Sequence, residues 1–389
     1  MQFFETEMQR LREQNLFRNL QTIHKTQGVQ IELVDGTRLI DFCSNNYLGL
    51  ANSPGALAEA KQALDVVGMG STASRLLSGN HQQHERLEKS LAHYVGTQAA
   101  LVFSSGYAAN VGVIGALVGR EDAIFSDALN HASMIDGARL SGAKIFIYPH
   151  RDTQALEKLL LEHARHFRRK MILTEGVFSM EGTCAPLPKL NELAMQHQTI
   201  LYVDDAHGLG VLGKNGRGIF SHFNVSIDAD HVVYLGTLGK SLGAMGGFVA
   251  GKNNLRAYLI NFARTFIFAT ALPPAVCAFA ASIVENLMAN AASIEKLRSH
   301  CRYFMEKTKH WDGFSRRQNE LVPIQPFWIG DEKKTLQAAH HLWQRGIFAR
   351  AIRPPTVPMH EARIRITLTA GHDEQHLDAL IAAMQDIAA

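Results

Sequence analysis

Cysteine is scarce in this 389-residue chain. The four present, Cys43, Cys184, Cys277 and Cys301, stand far apart, with no C-x-x-C pair. Such spacing provides neither a disulfide framework nor a zinc site, and it fits a reducing, cytoplasmic compartment. A surplus of charge is also lacking: 39 Lys and Arg against 36 Asp and Glu leave +3, no electrostatic footprint for nucleic acid or a membrane surface. The one short basic cluster, Arg165–Lys170, ends an expected helix and reads as a solvated tip. The N-terminus, MQFFETEMQRLRE, has no apolar run of the kind a signal peptide needs. Asp, Glu, Lys and Arg are missing from Ser90–Gly119 and from Thr265–Val284. His93, Gln98, Ser104, Ser105 and Asn110 interrupt the first stretch and Pro273-Pro274 breaks the second, so both read as buried segments of a soluble domain. With 46% apolar residues, a large core is possible and wholesale disorder is excluded.

What the chain does have is alternation. Residues 5–20 carry an amphipathic pattern that predicts an N-terminal helix, and residues 29–42 predict a hairpin with Asp35-Gly36 at its turn. Ala100–Phe103, Ala123–Phe125, Lys144–Ile147, Met171–Thr174, Ile200–Val203, Val232–Leu235 and Gly247–Ala250 are strand candidates, with helical stretches such as Gln154–Phe167 between many of them. This predicts an α/β fold with a mainly parallel central sheet flanked by helices. After Pro273-Pro274 a long helical region over 275–309, short strands and a final helix predict a smaller α+β part. The expected organisation is an N-terminal segment over 1–45, a large domain over 46–280 and a small domain over 281–389.

In open α/β sheets ligands gather outside the carboxyl ends of the strands. Lys240 is the only Asp, Glu, Lys or Arg between His231 and Gly251. An ammonium among apolar and glycine residues has its pKa pushed down, as a nucleophilic or basic lysine requires. The strand Ile200–Val203 runs into Asp204, Asp205 and His207. Each residue also has a plain structural reading: Lys240 as a snorkelling cation, Asp204 as a turn cap, His131 as a core or capping histidine. Other chemistries fit less well. Gly208-x-Gly210-x-x-Gly213 matches a dinucleotide fingerprint, but GKNGRG follows it where a helix should open. Gly239-Lys240-Ser241 resembles part of a P-loop, but Tyr234 stands where its first glycine belongs. A metal hydrolase on Asp204, His207, His131 and Glu175 lacks an HExxH or paired-carboxylate helix. Pyridoxal phosphate needs a lysine, a strand-end carboxylate for its ring nitrogen and a helix N-terminus for its phosphate. SSGYAANVGVIGAL, leading from a strand into a helix of small residues, provides the last, and His131 could lie against the ring.

NNYLGLA, GSTASRLLSGNHQQHERLE, SSGYAAN, NHAS, EGVFSMEG, VDDAHGLG, GTLGKSLG and RPPTVP, in collinear order from about residue 16 to 371, resemble the α-oxoamine synthases. These are fold-type I pyridoxal phosphate enzymes that condense an amino acid with an acyl-CoA and release CO2. The resemblance implies Lys240 as Schiff-base lysine and proton-transfer group, Asp204 at the pyridine nitrogen, His207 at the ring phenolate and His131 stacked on the ring with Ser179 nearby. It implies Gly106 and Tyr107 backbone N–H groups and the Thr237 hydroxyl at the phosphate. Thr270 would reach the phosphate of the other subunit, which implies a homodimer with its active site at the subunit interface. Arg353 would clamp the amino-acid carboxylate, with Arg18 and Asn45 on the substrate side. IRPPTVP resembles the branch that joins L-alanine to a pimeloyl thioester, on CoA or a carrier protein, in biotin synthesis; the sister branches include glycine C-acetyltransferase. Ala269 stands where relatives often carry a hydroxyl, and His360 where glycine is common.

Overall fold

The structure, a computed structural model, describes residues 2–289, 291–314 and 320–388. It divides into two units. The smaller collects residues 1–49, 180–182 and 295–389, and the larger residues 50–179 and 183–294.

The smaller unit opens with the helix Gln2–Glu13. The amphipathic pattern predicts a helix running on to residue 20. It stops early because Asn15 turns at φ 57° and the amides of Leu16 and Phe17 fold back onto the Leu11 carbonyl at 2.8 and 3.0 Å. Strands β1 (Ile23–Gln27), β2 (Gln30–Leu33) and β3 (Arg38–Asp41) follow as an antiparallel meander. The expected hairpin is the β2–β3 pair. At its turn Gly36 adopts φ 85°, and the Asp35 carboxylate accepts the Thr37 N–H at 3.0 Å.

The larger unit is built on seven strands: β4 (Ala99–Phe103), β5 (Ala123–Asp127), β6 (Lys144–Tyr148), β7 (Lys170–Glu175), β8 (Ile200–Asp204), β9 (Val232–Thr237) and β10 (Gly247–Gly251). Each strand candidate falls inside one of them. Their spatial order is β4-β10-β9-β8-β7-β5-β6. Only β10 runs antiparallel to its neighbours; the other six are parallel. Runs such as AALVF and ILYVD are apolar on both faces, as strands covered by helices on each side must be. Leu101, Phe103, Leu173, Tyr202 and Leu235 from the sheet, with Val113, Ile114 and Met134 from helices, form one buried cluster. The charge-free stretch Ser90–Gly119 crosses a helix end, β4 and a second helix. Among the described residues no single helix is long and apolar enough to cross a membrane.

The chain returns to the smaller unit with β11 (Ile324–Gly330), β12 (Ile347–Phe348), β13 (Arg350–Ile352) and β14 (Ala362–Thr367). β11, β14 and β13 make an antiparallel sheet, while β12 lies parallel to β3, pairing Ile347 with Ile40. Residues 1–45 are thereby joined to the C-terminal residues by backbone hydrogen bonds. The helical region 275–309 is two helices, Pro274–Ala289 and Ala292–Lys307, and the first remains whole in the larger unit. It does so because Ala275 and Ala278 pack on Ala63 of the helix Pro54–Val67.

Near one edge of the large sheet, Glu88 on the helix Gln82–Val95 accepts from Arg75 at 2.8 Å, from Arg256 at 2.8 Å and from the Val102 N–H at 3.0 Å. Arg75 and Glu88 are both buried. Removing one partner of a buried pair strands the other charge away from water. Glu88→Ala should therefore lower the unfolding free energy by about 3–5 kcal/mol, measured by urea denaturation; a change below about 1 kcal/mol, typical of an exposed pair, would contradict this account.

Candidate active site

Five parallel strands of the large sheet end around one cavity of about 190 Å³. It is lined by Gly106, Tyr107, Asn110, His131, Ser133, Glu175, Asp204, Ala206, His207, Leu235, Thr237 and Lys240. Asp204 is the last residue of β8, Glu175 of β7 and Thr237 of β9. The loop between β9 and β10 carries Lys240. After β4, Ser105 caps the helix Gly106–Leu117, its hydroxyl accepting the Ala108 N–H at 3.0 Å. This helix start lies close against β10: a Cβ on Gly247 would come within 2.6 Å of the Gly106 Cα. Glycine at 247 is thus what lets the helix terminus reach the cavity.

Lys240 Nζ lies 2.7 Å from His207 Nε2. Lys240 is half-buried, so the dry pocket expected from its sequence context closes only part of the way around it. Asp204 and His207 are buried. One Asp204 oxygen accepts the Ala206 N–H at 3.0 Å and the other the Asn110 side-chain amide at 2.7 Å. His131 caps the helix Ala132–Ser141, in line with its plain structural reading, and also lines the cavity. It is partly open to solvent, yet desolvation by its surroundings holds its pKa below the ordinary histidine value; Lys240 reinforces that shift and Asp204 opposes it. Tyr107 is exposed at the cavity rim and donates its hydroxyl to Asp136.

Ser179 and Thr270 do not line this cavity. The Ser179 N–H donates to Glu175 at 3.1 Å. Thr270 is exposed and borders a separate depression with Arg75, His84 and Ser104. Arg18, Asn45 and Arg353 belong to the smaller unit. Arg353 donates to the carbonyls of Asn15 and Phe17, and Arg18 donates to that of Pro354 at 2.9 Å. Burial and the neighbouring Arg18 and Arg350 hold the Arg353 pKa below the usual arginine range. Asn45 accepts from Arg365 at 3.1 Å, a buried arginine of β14 that sequence reasoning passed over. It also passed over Asn110 and Ser133; the signal available was a lone amide inside the otherwise small and apolar helix GYAANVGVIGAL.

The glycine-rich segment 208–213 opens no long helix; the short turn Lys214–Gly216 and the four-residue helix Ile219–His222 follow it. Among the described residues, no group of three or more His, Cys, Asp and Glu could hold a metal ion. The cavity does suit pyridoxal phosphate. An amine and an imidazole nitrogen lie side by side, where a ring aldehyde carbon and the adjacent phenolate oxygen would need them. A held carboxylate meets the requirement of the ring nitrogen. At the capped helix terminus, a Cβ on Gly106 would lie 3.7 Å from the Thr237 hydroxyl, so glycine leaves that room for a phosphate.

Asp205, beside the cavity, is fully buried. It accepts the Ile219 N–H at 2.8 Å and the Tyr234 hydroxyl at 3.1 Å, and a Cβ on Gly208 or Gly218 would collide with its carboxyl group. Burial pushes its pKa up to about 8. Raised above the unfolded value, this group gives stability that is fully present below about pH 4 and is lost as pH rises through about 8. The stability difference between the parent and Asp205→Asn should therefore shift against the parent by on the order of 1 kcal/mol per pH unit between pH 5 and pH 7. Parallel denaturation curves of the two proteins measure it; a difference independent of pH would refute the assignment.

Residues 37–384 match the aminotransferase class I and II family. A curated relative from Geobacter sulfurreducens, named 8-amino-7-oxononanoate synthase, is 46% identical over 383 residues, covering 98% of this chain and 96% of that protein. A relative of the same name from Thermoanaerobacter pseudethanolicus is 42% identical over 387 residues, covering 100% and 97%. Among solved structures, a serine palmitoyltransferase from S. paucimobilis with a bound PLP–myriocin aldimine is 28% identical, with a TM-score of 0.91 over 98% of this chain and 96% of that one. An 8-amino-7-oxononanoate synthase from Francisella tularensis is 29% identical, with a TM-score of 0.76 over 90% and 98%. Identity at this level along the whole length leaves one assignment: the chain belongs to the aminotransferase class I and II family, within its pyridoxal-phosphate-dependent α-oxoamine synthases.

Proposed function

We propose that this enzyme condenses L-alanine with a pimeloyl thioester, on CoA or a carrier protein, to form 8-amino-7-oxononanoate with loss of CO2, a step of biotin synthesis. The observation that carries the reading is the placement of Lys240 against His207 in the cavity that Asp204 floors. Full-length relatives of that name support the choice of substrates.

Lys240 would hold pyridoxal phosphate at its aldehyde carbon, Asp204 at the ring nitrogen, His207 at the phenolate oxygen and His131 across the ring face. Gly106, Tyr107 and Thr237 would hold its phosphate; Ser179, expected near His131, would act from outside the cavity lining, through its contact with Glu175. Bound there, the cofactor supplies the electron sink for carbanion formation at the alanine α-carbon and for loss of CO2. Arg353 would pair with the alanine carboxylate, with Arg18 and Asn45 on the substrate side. Lys240, as a free amine, takes the α-proton and later returns one to the product carbon. Asp204 would accept a hydrogen bond from the protonated ring nitrogen. His207 would share a hydrogen with the phenolate oxygen. We infer that the enzyme works as a homodimer in the cytoplasm. Exposed Thr270 does not line its own cavity, and Phe262 and Phe268 are exposed in the same region of the chain.

Purified protein should turn visibly coloured with pyridoxal phosphate, and Lys240→Ala should lose both that colour and turnover by about 10²- to 10⁴-fold or more. A Lys240→Ala variant as active as its parent would refute the reading. Alanine, glycine and serine crossed against pimeloyl- and acetyl-thioesters, with products weighed by mass spectrometry, should give 8-amino-7-oxononanoate as the main product. Turnover of glycine with acetyl-CoA alone would move the enzyme to the glycine C-acetyltransferase branch.

A further inference from the structure

In and behind the cavity wall, five polar side chains are linked in a way that leaves little freedom in their protons. Asn110, on the helix Gly106–Leu117, is 1% exposed. Its amide nitrogen lies 2.7 Å from Asp204 Oδ2 and 2.9 Å from Ser133 Oγ, and its oxygen 2.8 Å from the Tyr202 hydroxyl. Ser133 Oγ is in turn 2.7 Å from His131 Nδ1, which also faces the Ser133 backbone N–H at 3.3 Å.

The donors follow in sequence. Asp204 as a carboxylate only accepts, so the Asn110 group facing it is the NH2, and the amide cannot be turned over without placing oxygen against oxygen. One amide hydrogen then goes to Asp204 and the other to Ser133 Oγ, while the Asn110 oxygen takes the Tyr202 hydroxyl hydrogen. With Ser133 Oγ accepting from Asn110, its own hydrogen is left for His131. The backbone N–H of Ser133 approaches the same ring nitrogen. Two donors at Nδ1 make it an acceptor, so the hydrogen of the neutral imidazole sits on Nε2.

We propose that Asn110 is a positioning residue that sets two cofactor-facing groups at once: it aims the Asp204 carboxylate and, through Ser133, holds His131 in its Nε2–H tautomer. The consequence for Asp204 rests on the function proposed above; the consequence for His131 is a property of the protein without cofactor. Asn110 does the first directly. A carboxylate fixed by both a backbone N–H and a buried amide has no rotational freedom left, which suits a group that must meet a single ring nitrogen. The second works through one hydroxyl, whose orientation is decided by the amide on its other side.

Two variants separate these effects. In cofactor-free protein labelled with 15N-histidine, the His131 signals, identified by their loss in His131→Asn, should show the Nε2–H tautomer in the parent. In Ser133→Ala they should show a mixture of tautomers, with pyridoxal phosphate affinity changed less than threefold. In Asn110→Leu the tautomer should be released as well and the affinity for pyridoxal phosphate should fall by about 10- to 100-fold, in the range seen when a residue supporting a bound group's ligand is removed. Parent-like tautomer and affinity in Asn110→Leu would overturn the proposal, as would an Nδ1–H tautomer in the parent. If Asn110→Leu does not fold, the tautomer in Ser133→Ala decides. A parent that fails to bind pyridoxal phosphate but shows the Nε2–H tautomer would count against the proposed function and leave the His131 assignment standing.

Discussion

A carboxylate at the end of a buried parallel strand is the constraint around which this molecule is arranged. Asp204 lies where β8 runs out, screened from water, and an ionised group there is sustained only by donors aimed at it. The Ala206 N–H and the Asn110 amide are those donors. Bringing Asn110 within reach requires its helix to begin right after β4, which requires a serine cap and, on the neighbouring strand, a residue without a side chain. One polar atom thereby dictates the composition of a turn, a helix and a strand it does not belong to.

The same economy governs Lys240. It sits on the connection between β9 and β10, two antiparallel neighbours, so both sides of its loop are tied into one sheet. Within the loop the Ala244 N–H donates to the Leu238 carbonyl at 2.9 Å, and the Ser241 hydroxyl ties the loop to the Leu209 carbonyl at 2.7 Å. A flexible four-carbon side chain thus starts from a stiff base, and its amine meets the His207 imidazole instead of wandering into solvent.

Much of this was legible in the sequence because it follows from local rules. Strands covered on both faces are apolar throughout and show as short runs; the residues at their ends are the ones a ligand meets. Lys240 stood out for its isolation among apolar and glycine neighbours, Asp204 and His207 for following directly on an apolar strand. Three things were not legible. The N-terminal helix stops at Glu13 because of one left-handed asparagine, which no periodicity reveals. The pairing of Ile347 with Ile40, which makes one unit of the two chain ends, is a contact across 307 positions with no local signature. Asn110 and Arg365 carry ordinary polar side chains whose roles exist only once distant strands bring Asp204 and Asn45 to them. Arginine in a strand suggests an exposed edge, and Arg365 is buried because its hydrogens go to Thr367 and Asn45.

That long-range pairing has a consequence for how the chain comes into being. Every wall of the cavity lies between residues 106 and 240, so on the ribosome it emerges before any of the C-terminal strands. β3 is made long before β12 and gains that neighbour only once residue 347 has emerged. Until then the β1–β3 meander carries an unpaired edge at β3, where a nascent chain is open to mistaken pairing.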